Sequence, residues 1–305
     1  MHQLVVMGNG FDKSCGLQSG FSDFFRSRHD KKDAFCDSWD ELSNTQTLWD
    51  VVLEAKKERS STLWCDDEAA IHQALIPSLR NNGFSQIEQS FRKLNSTGLV
   101  LEADRLYDFL RSQHLSFTTT GVAYGYALDQ LHVFERELEQ YLVSEVQRAE
   151  LGYYQAAVKK MGAIIGDAAG DYANGRARNN AKGLFANIET SILSFNYTSV
   201  LGDGDREELG VVSFINAHGE LGHHNIVIGI DAGQIEGHQH AIPFTKTYRL
   251  LALKSLKENC LLRPADRCDK ENSTAMIKFL VIRFPRRITH ILKRYSMQLI
   301  YMKAR

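Results

Sequence analysis

A Gly-x-Gly pair closes the first apolar run of this chain, and it constrains the fold more than any other feature. Leu4-Val5-Val6-Met7 reads as a buried strand, and Gly8-Asn9-Gly10-Phe11-Asp12 follows it directly. Glycines turn tightly and leave backbone N–H groups open to an anion. With a helix beginning just beyond, such a strand and turn are the opening of a nucleotide-binding α/β sheet. Two later strings supply context. Ser194-Phe195-Asn196-Tyr197-Thr198 ends one apolar run, and Asn216-Ala217-His218-Gly219 ends another. Open α/β sheets build their sites from residues at the ends of separate strands.

The other strand-like runs sit late in the sequence. Ser191–Phe195, Val211–Asn216 and Asn225–Ile230 cluster there, with Ile277–Ile282 as a fifth candidate beside Gln3–Met7. The long stretch between the first strand and this cluster is patterned for helices. Leu128, Leu131, Phe134, Leu138, Tyr141, Leu142 and Val146 recur at helical spacing, with Glu135, Arg136, Glu137 and Glu139 on the intervening positions. Ala156–Ala169 reads as a second, separate helix, and Ser78–Ser85 and Asn95–Gly98 as surface loops. The expected architecture is α/β, a Rossmann-like, mostly parallel sheet with a large helical insertion after the first strand. The sheet would come from residues 1–20 and 188–285 of one domain, the insertion from 21–187, and residues 286–305 would form an atypical basic tail.

Composition narrows the function classes. Lys plus Arg total 36 against 37 Asp plus Glu, a formal net charge of −1, which gives no overall argument for nucleic acid or an anionic membrane. After Glu271 there is no acidic residue, so the run from Lys278 to Arg305 is expected to be peripheral. It is also the one place where nucleic acid could be contacted. Five cysteines, none spaced as Cys-x-x-Cys, argue against a disulfide framework and fit a reducing compartment. Met1-His2-Gln3 lacks a basic leader and no apolar run has the length of a membrane span, so the expected location is the cytoplasm.

The candidate chemistry lies at the strand ends. The dinucleotide fingerprint has a third glycine where this chain has Lys13, which disfavours an ordinary nicotinamide oxidoreductase. Asp12 is placed to cap a helix or to meet a ribose hydroxyl. An amide at Asn196 can orient a ribose or a water, and an imidazole at His218 can accept a proton near neutral pH. His218, His223, His224, His238 and His240, with Glu220, Asp231 and Glu236, leave a metal-dependent hydrolase or nuclease open as an alternative. Their spacing matches no firm ligand pattern, so no metal is expected. A non-catalytic nucleotide sensor, acting through a partner, is the other alternative.

Taken together, these strings resemble the bacteriophage abortive-infection AbiH family. Gly8-Asn9-Gly10-Phe11-Asp12, Gly16-Leu17, Ser22-Asp23-Phe24, Phe195-Asn196-Tyr197-Thr198, His218-Gly219, Ile228-Gly229-Ile230-Asp231 and Pro243-Phe244-Thr245-Lys246-Thr247 carry the resemblance in order. Gln18 departs from the Gly-Leu-Pro usual there. Lys278–Arg305 lacks the Gly- and Ser-containing turn with an aspartate that generally ends family members. A more distant similarity is to sirtuin-like NAD-binding proteins, which place Gly-Ala-Gly, an Asn-containing turn and His-Gly after successive strands. The resemblance implies an anti-phage effector that binds and hydrolyses NAD, or a related nucleotide, as its substrate. Gly8, Asn9 and Gly10 would take the pyrophosphate. Phe11, Asp12, Tyr197, Thr198, Gly219 and Asp231 would surround the ligand, and Asn196 and His218 would act on it. The partners implied are the nucleotide and a phage-derived trigger, with self-association left open and no membrane.

Overall fold

The computed structural model describes residues 2–8, 10–35, 46–59, 67–77, 83–95, 105–115, 119–172, 188–235, 237–252, 261 and 273–280. The chain divides into two compact units. The first comprises Met1–Ser19, Leu142–His223 and Leu256–Arg305, and the second Gly20–Tyr141 and His224–Ser255.

The first unit holds the sheet. Strands β1 (His2–Met7), β2 (Glu189–Ser194), β3 (Val211–Asn216) and β4 (Thr274–Leu280) pair in the order β3-β2-β1-β4. Every pairing is parallel, with Met7 opposite Ser194 on one side and Leu280 on the other. β1 is therefore a central strand, and its sequence is apolar without alternation because both of its faces are covered. Val5 and Met7 pack on one face with Phe11, Ile192, Tyr153, Ala157, Met161 and Ile165, while Leu4 and Val6 pack on the other with Phe195. Each such aliphatic side chain contributes about 1.5–3 kcal/mol when removed from water. His2 and Gln3, the polar start of β1, are fully buried. His2 reaches Thr274 and Ser191 across both neighbouring strands, each at 2.9 Å, and Gln3 donates to Thr190 Oγ1 at 3.0 Å. These bonds satisfy both His2 ring nitrogens and the Gln3 amide nitrogen, which would otherwise be costly to bury, while Gln3 Oε1 has no partner among the described residues.

The described elements between β1 and β2 are all helices. They are α1 (Gly10–Ser14), α2 (Phe21–Phe35), α3 (Leu48–Arg59), α4 (Asp67–Leu75), α5 (Gln86–Leu94), α6 (Arg105–Ser112) and α7 (Thr120–Tyr172). The two helices expected over 128–146 and 156–169 are one. Gly152 sits inside α7 at a cost of only about 1 kcal/mol relative to alanine, too little to break a well-packed helix. Tyr153, Ala157, Met161 and Ile165 then continue the buried stripe begun by Leu131, Phe134, Leu138 and Leu142. Ser85, expected in a surface loop, is fully buried. It caps α5 by accepting from Glu88 N at 3.1 Å, and its hydroxyl also meets Tyr124 Oη at 2.9 Å.

Two further expectations are corrected. Asn225–Ile230 is buried over most of its length, yet it is not a strand of the sheet. It lies in the second unit, where side chains satisfy the backbone of Ile228: Glu135 accepts from Ile228 N, and Arg249 donates to Ile228 O at 2.8 Å. Only Ile230 makes an isolated bridge, with Thr245. The basic run was expected to be peripheral from Lys278 onward. Lys278 instead lies in β4, opposite Val5, and its ammonium donates to the α7 carbonyls of Ile164 and Ile165. Residues 281–305 lie outside the described residues. A short helix, α8 (Asp203–Glu208), leads into β3, and α9 (Lys246–Ala252) follows Asn225–Ile230 in the second unit.

In the second unit Phe24, Phe25, Phe134 and Tyr141 cluster with ring centroids 5.4–6.1 Å apart. Trp49 donates to Ala127 O at 2.8 Å. Gly229 passes so close to Phe244 that a Cβ there would lie 2.4 Å from its carbonyl oxygen. Gly229→Ala is therefore expected to cost about 1–3 kcal/mol of stability, measured as a lower midpoint of urea unfolding. A midpoint equal to wild type would mean that Asn225–Ile230 packs differently.

Candidate functional site

The parallel register brings the ends of β1, β2 and β3 to one edge of the sheet. The Gly-x-Gly turn follows β1 there. Its first amide is already in use, since Gly8 N donates to Leu280 O at 3.0 Å, and Phe11 N donates back to Gly8 O at 3.1 Å. Gly10 N has no partner among the described residues, while Asn9 lies outside them. α1 is a single turn, so little macrodipole stands behind this amide. Any anion held here would depend on local N–H groups.

Asp12 is anchored at this edge by side-chain hydrogen bonds. Its side chain is buried, and the Thr198 hydroxyl lies 2.9 and 2.8 Å from its two oxygens. The Tyr153 hydroxyl of α7 donates to Oδ1 at 2.9 Å and lies 3.1 Å from Thr198 Oγ1. Burial pushes the Asp12 carboxyl up to about 6 from 3.8, against the opposing pull of the Thr198 and Tyr153 hydrogen bonds. Burial, reinforced by the Asp12 charge, also raises the Tyr153 phenol, so Tyr153 remains a donor. Asp12 thus joins the turn after β1 to the turn after β2 and to α7. Tyr153 and Thr198 occupy part of the acceptor capacity of Asp12, so a ribose hydroxyl would have to use a remaining lone pair.

The remaining candidates are distributed around this tie. Phe11 is wholly buried in the core. Asn196 is 3% exposed, and its backbone and amide nitrogens approach Ser194 Oγ at 3.1 and 3.3 Å. Phe195 N donates to Met7 O at 2.9 Å, extending the ladder beyond β2, and Tyr197 O accepts from Leu221 N at 2.9 Å. His218 lies edge-on to Phe195, with ring centroids 5.4 Å apart. Gly219 has φ +93°, a left-handed backbone that glycine adopts without strain and that turns the chain after β3. Ser199 donates to Glu220 and accepts from Asn216 Nδ2 at 3.4 Å in the same unit. Asp231 belongs to the second unit. It caps the short 3₁₀ helix Ala232–Gln234, accepting from Gly233 N at 3.0 Å.

Two participants were not legible as such. Tyr153 stands 141 residues from Asp12, and its only signal is one hydroxyl in an apolar helical stripe. Lys160, two turns further along α7, donates to Ser14 O and Oγ, both at 2.8 Å, at the end of α1. The histidine-rich stretch gathers into no metal-holding group. Among the described residues no three His, Cys, Asp or Glu side chains are arranged to hold an ion. His240 instead packs on Tyr124, with centroids 5.4 Å apart. Glu236 lies outside the described residues.

A parallel sheet with polar turns gathered at its carboxyl edge defines an α/β protein of Rossmann-like architecture. The family model for bacteriophage abortive infection AbiH matches residues 4–260, and the chain belongs to that family. Its role is accordingly in abortive infection by phage. The match ends before β4, so the strand that completes the sheet beside β1 lies beyond the matched region. No curated protein and no solved structure matched the chain. Among the described residues no helix is long and apolar enough to cross a membrane.

The buried carboxylate gives a pH signature. Its folded-state pKa lies above the unfolded value, so the native state binds this proton more tightly and stability falls as pH rises from about 4 through about 6. The full effect is on the order of 3 kcal/mol. Asp12→Asn lacks this titration. Its stability relative to wild type should therefore improve by that order between about pH 4 and pH 7 in urea unfolding. A pH-independent difference between the two proteins would refute a raised Asp12.

Proposed function

We propose that the chain acts in abortive infection by binding NAD or a related nucleotide at the carboxyl edge of the sheet and hydrolysing its glycosidic bond. The observation that carries this reading is the parallel alignment of Gly8–Gly10, Asn196 and His218 at the ends of neighbouring strands, two of whose turns are tied by Asp12 and Thr198. The pyrophosphate would sit against the Gly8–Gly10 turn, with Gly10 N–H as a donor. In the reaction the bond from C1′ to the nicotinamide nitrogen breaks and that electron pair leaves with nicotinamide. A water oxygen bonds C1′ as oxocarbenium character develops, in the manner of glycoside cleavage. Asn196 orients the water or the ribose, and His218 takes the proton that the water loses.

A nucleotide sensor without catalysis is the second reading, favoured by the approach of the Asn196 amide to Ser194 inside the protein. Nicotinamide release from NAD by purified protein separates the two. The enzymatic reading expects release by wild type and a loss on the order of a hundredfold in His218→Ala and in Asn196→Ala. Replacing His223 or His238 should leave turnover near wild type. ADP-ribose binding without nicotinamide release would favour the sensor. Release undiminished in both variants would remove Asn196 and His218 from the chemistry.

A further inference from the structure

A cavity of about 410 Å³ lies within the second unit, lined by His132, Glu135, Arg136 and Glu139 of α7, by His224–Ile226, and by Tyr248 and Arg249 of α9, with Leu128 and Pro243. That volume is within the range of small-molecule sites. Its charged lining is divided between groups that are committed and one that is not. Glu135 is held by Arg249 Nη1 and Nη2 and by Ile228 N. Glu139 accepts from His224 N at 3.1 Å and faces His224 Nδ1 at 3.2 Å. Both carboxylates are buried. With each met by donors, neither presents an unanswered negative charge to a ligand.

Arg136 is the exception. It makes no hydrogen bond or ion pair among the described residues, and its guanidinium is exposed at the cavity. His132 stands one turn before it. Burial lowers the His132 imidazole, and the Arg249 and Arg136 charges lower it further against Asp129, which pulls the other way. Two cations therefore act on this imidazole against one acid. Tyr248 adds an exposed phenol, and Leu128, Ile226 and Pro243 add an apolar wall. The geometry points to a binding site for a small molecule with a compact apolar or aromatic body and one anionic head, a phosphate monoester or a carboxylate. Arg136 would take the anion through its forked N–H donors, His132 or Tyr248 would donate a further hydrogen bond, and the body would lie against Leu128, Ile226 and Pro243.

The site is independent of any nucleotide held at the sheet edge. Its test is calorimetric titration of the full chain with phenyl phosphate, benzoate and neutral benzyl alcohol. Both anions should bind saturably, and benzyl alcohol about tenfold more weakly or worse. Stronger binding of phenyl phosphate assigns the head as phosphate, and stronger binding of benzoate assigns it as carboxylate. Arg136→Gln should weaken the anions about tenfold, Arg136→Lys less, and Arg148→Gln, which removes an equal charge elsewhere on α7, not at all. The unfolding midpoint of Arg136→Gln should stay at the wild-type value, because this side chain is exposed. Absence of saturable binding overturns the proposal. So do equal affinity for the neutral alcohol, unchanged binding in Arg136→Gln, and equal losses in Arg136→Gln and Arg148→Gln.

Discussion

One carboxylate without access to water holds the edge of the sheet together. Asp12 is linked to Thr198, 186 residues away, and to Tyr153, 141 residues away, and so joins the turns after β1 and β2. Burying a charged group is costly, and two neutral hydroxyl donors do not fully offset that cost, which is why this carboxyl titrates so far above an ordinary aspartate. The arrangement persists because the alternatives are worse. Without Asp12 the buried hydroxyls of Tyr153 and Thr198 would lose their acceptor, at about 1–3 kcal/mol for each group left unpaired. Such a tie contributes little net stability, but it fixes two turns relative to each other. That is what a site built from separate strand ends requires.

The second unit uses the same device for a different purpose. Glu135 and Glu139 are buried on α7, and both turn toward the backbone of residues 224–230. Arg249 completes the arrangement by bonding Glu135 while donating to Ile228 O. Breaking such a buried pair by removing one partner is far more damaging than never having had it, because the survivor is left uncompensated. An extended apolar segment is thereby accommodated among helices without a neighbouring strand. The N–H and C=O of Ile228 find side chains, and those of Ile230 find the backbone of Phe244 and Lys246.

How much of this was legible follows from the range of the interactions concerned. β1, β2 and β3 could be read because an apolar run buried on both faces carries its own signature, and the turns that end them carry the polar strings. Rossmann-like architecture followed from those runs, and family membership from the strings in order. Asn225–Ile230 misled for the same reason. Ile226, Val227 and Ile228 have the composition of a strand, but the N–H and C=O of Ile228 are taken by a glutamate and an arginine elsewhere in the chain. Glu135 and Glu139 read only as polar positions among the apolar residues of a helix, since helical periodicity records spacing and not the partners that make a buried charge tolerable. Tyr153 was illegible because its role depends on a distant aspartate. Asp12 reads in the sequence as a helix cap or a ribose contact, and no local pattern reveals that its carboxylate accepts from two distant protein hydroxyls.

The claim on which the account rests is that this tied edge is where the nucleotide sits. Backbone chemical-shift mapping of the full chain during titration with ADP-ribose tests it most directly. The account predicts saturable shifts concentrated in Gly8–Asp12, Asn196–Thr198 and His218–Gly219, the three turns beyond β1, β2 and β3. Saturable shifts confined to other parts of the chain, or none at all at saturating ligand, would contradict it.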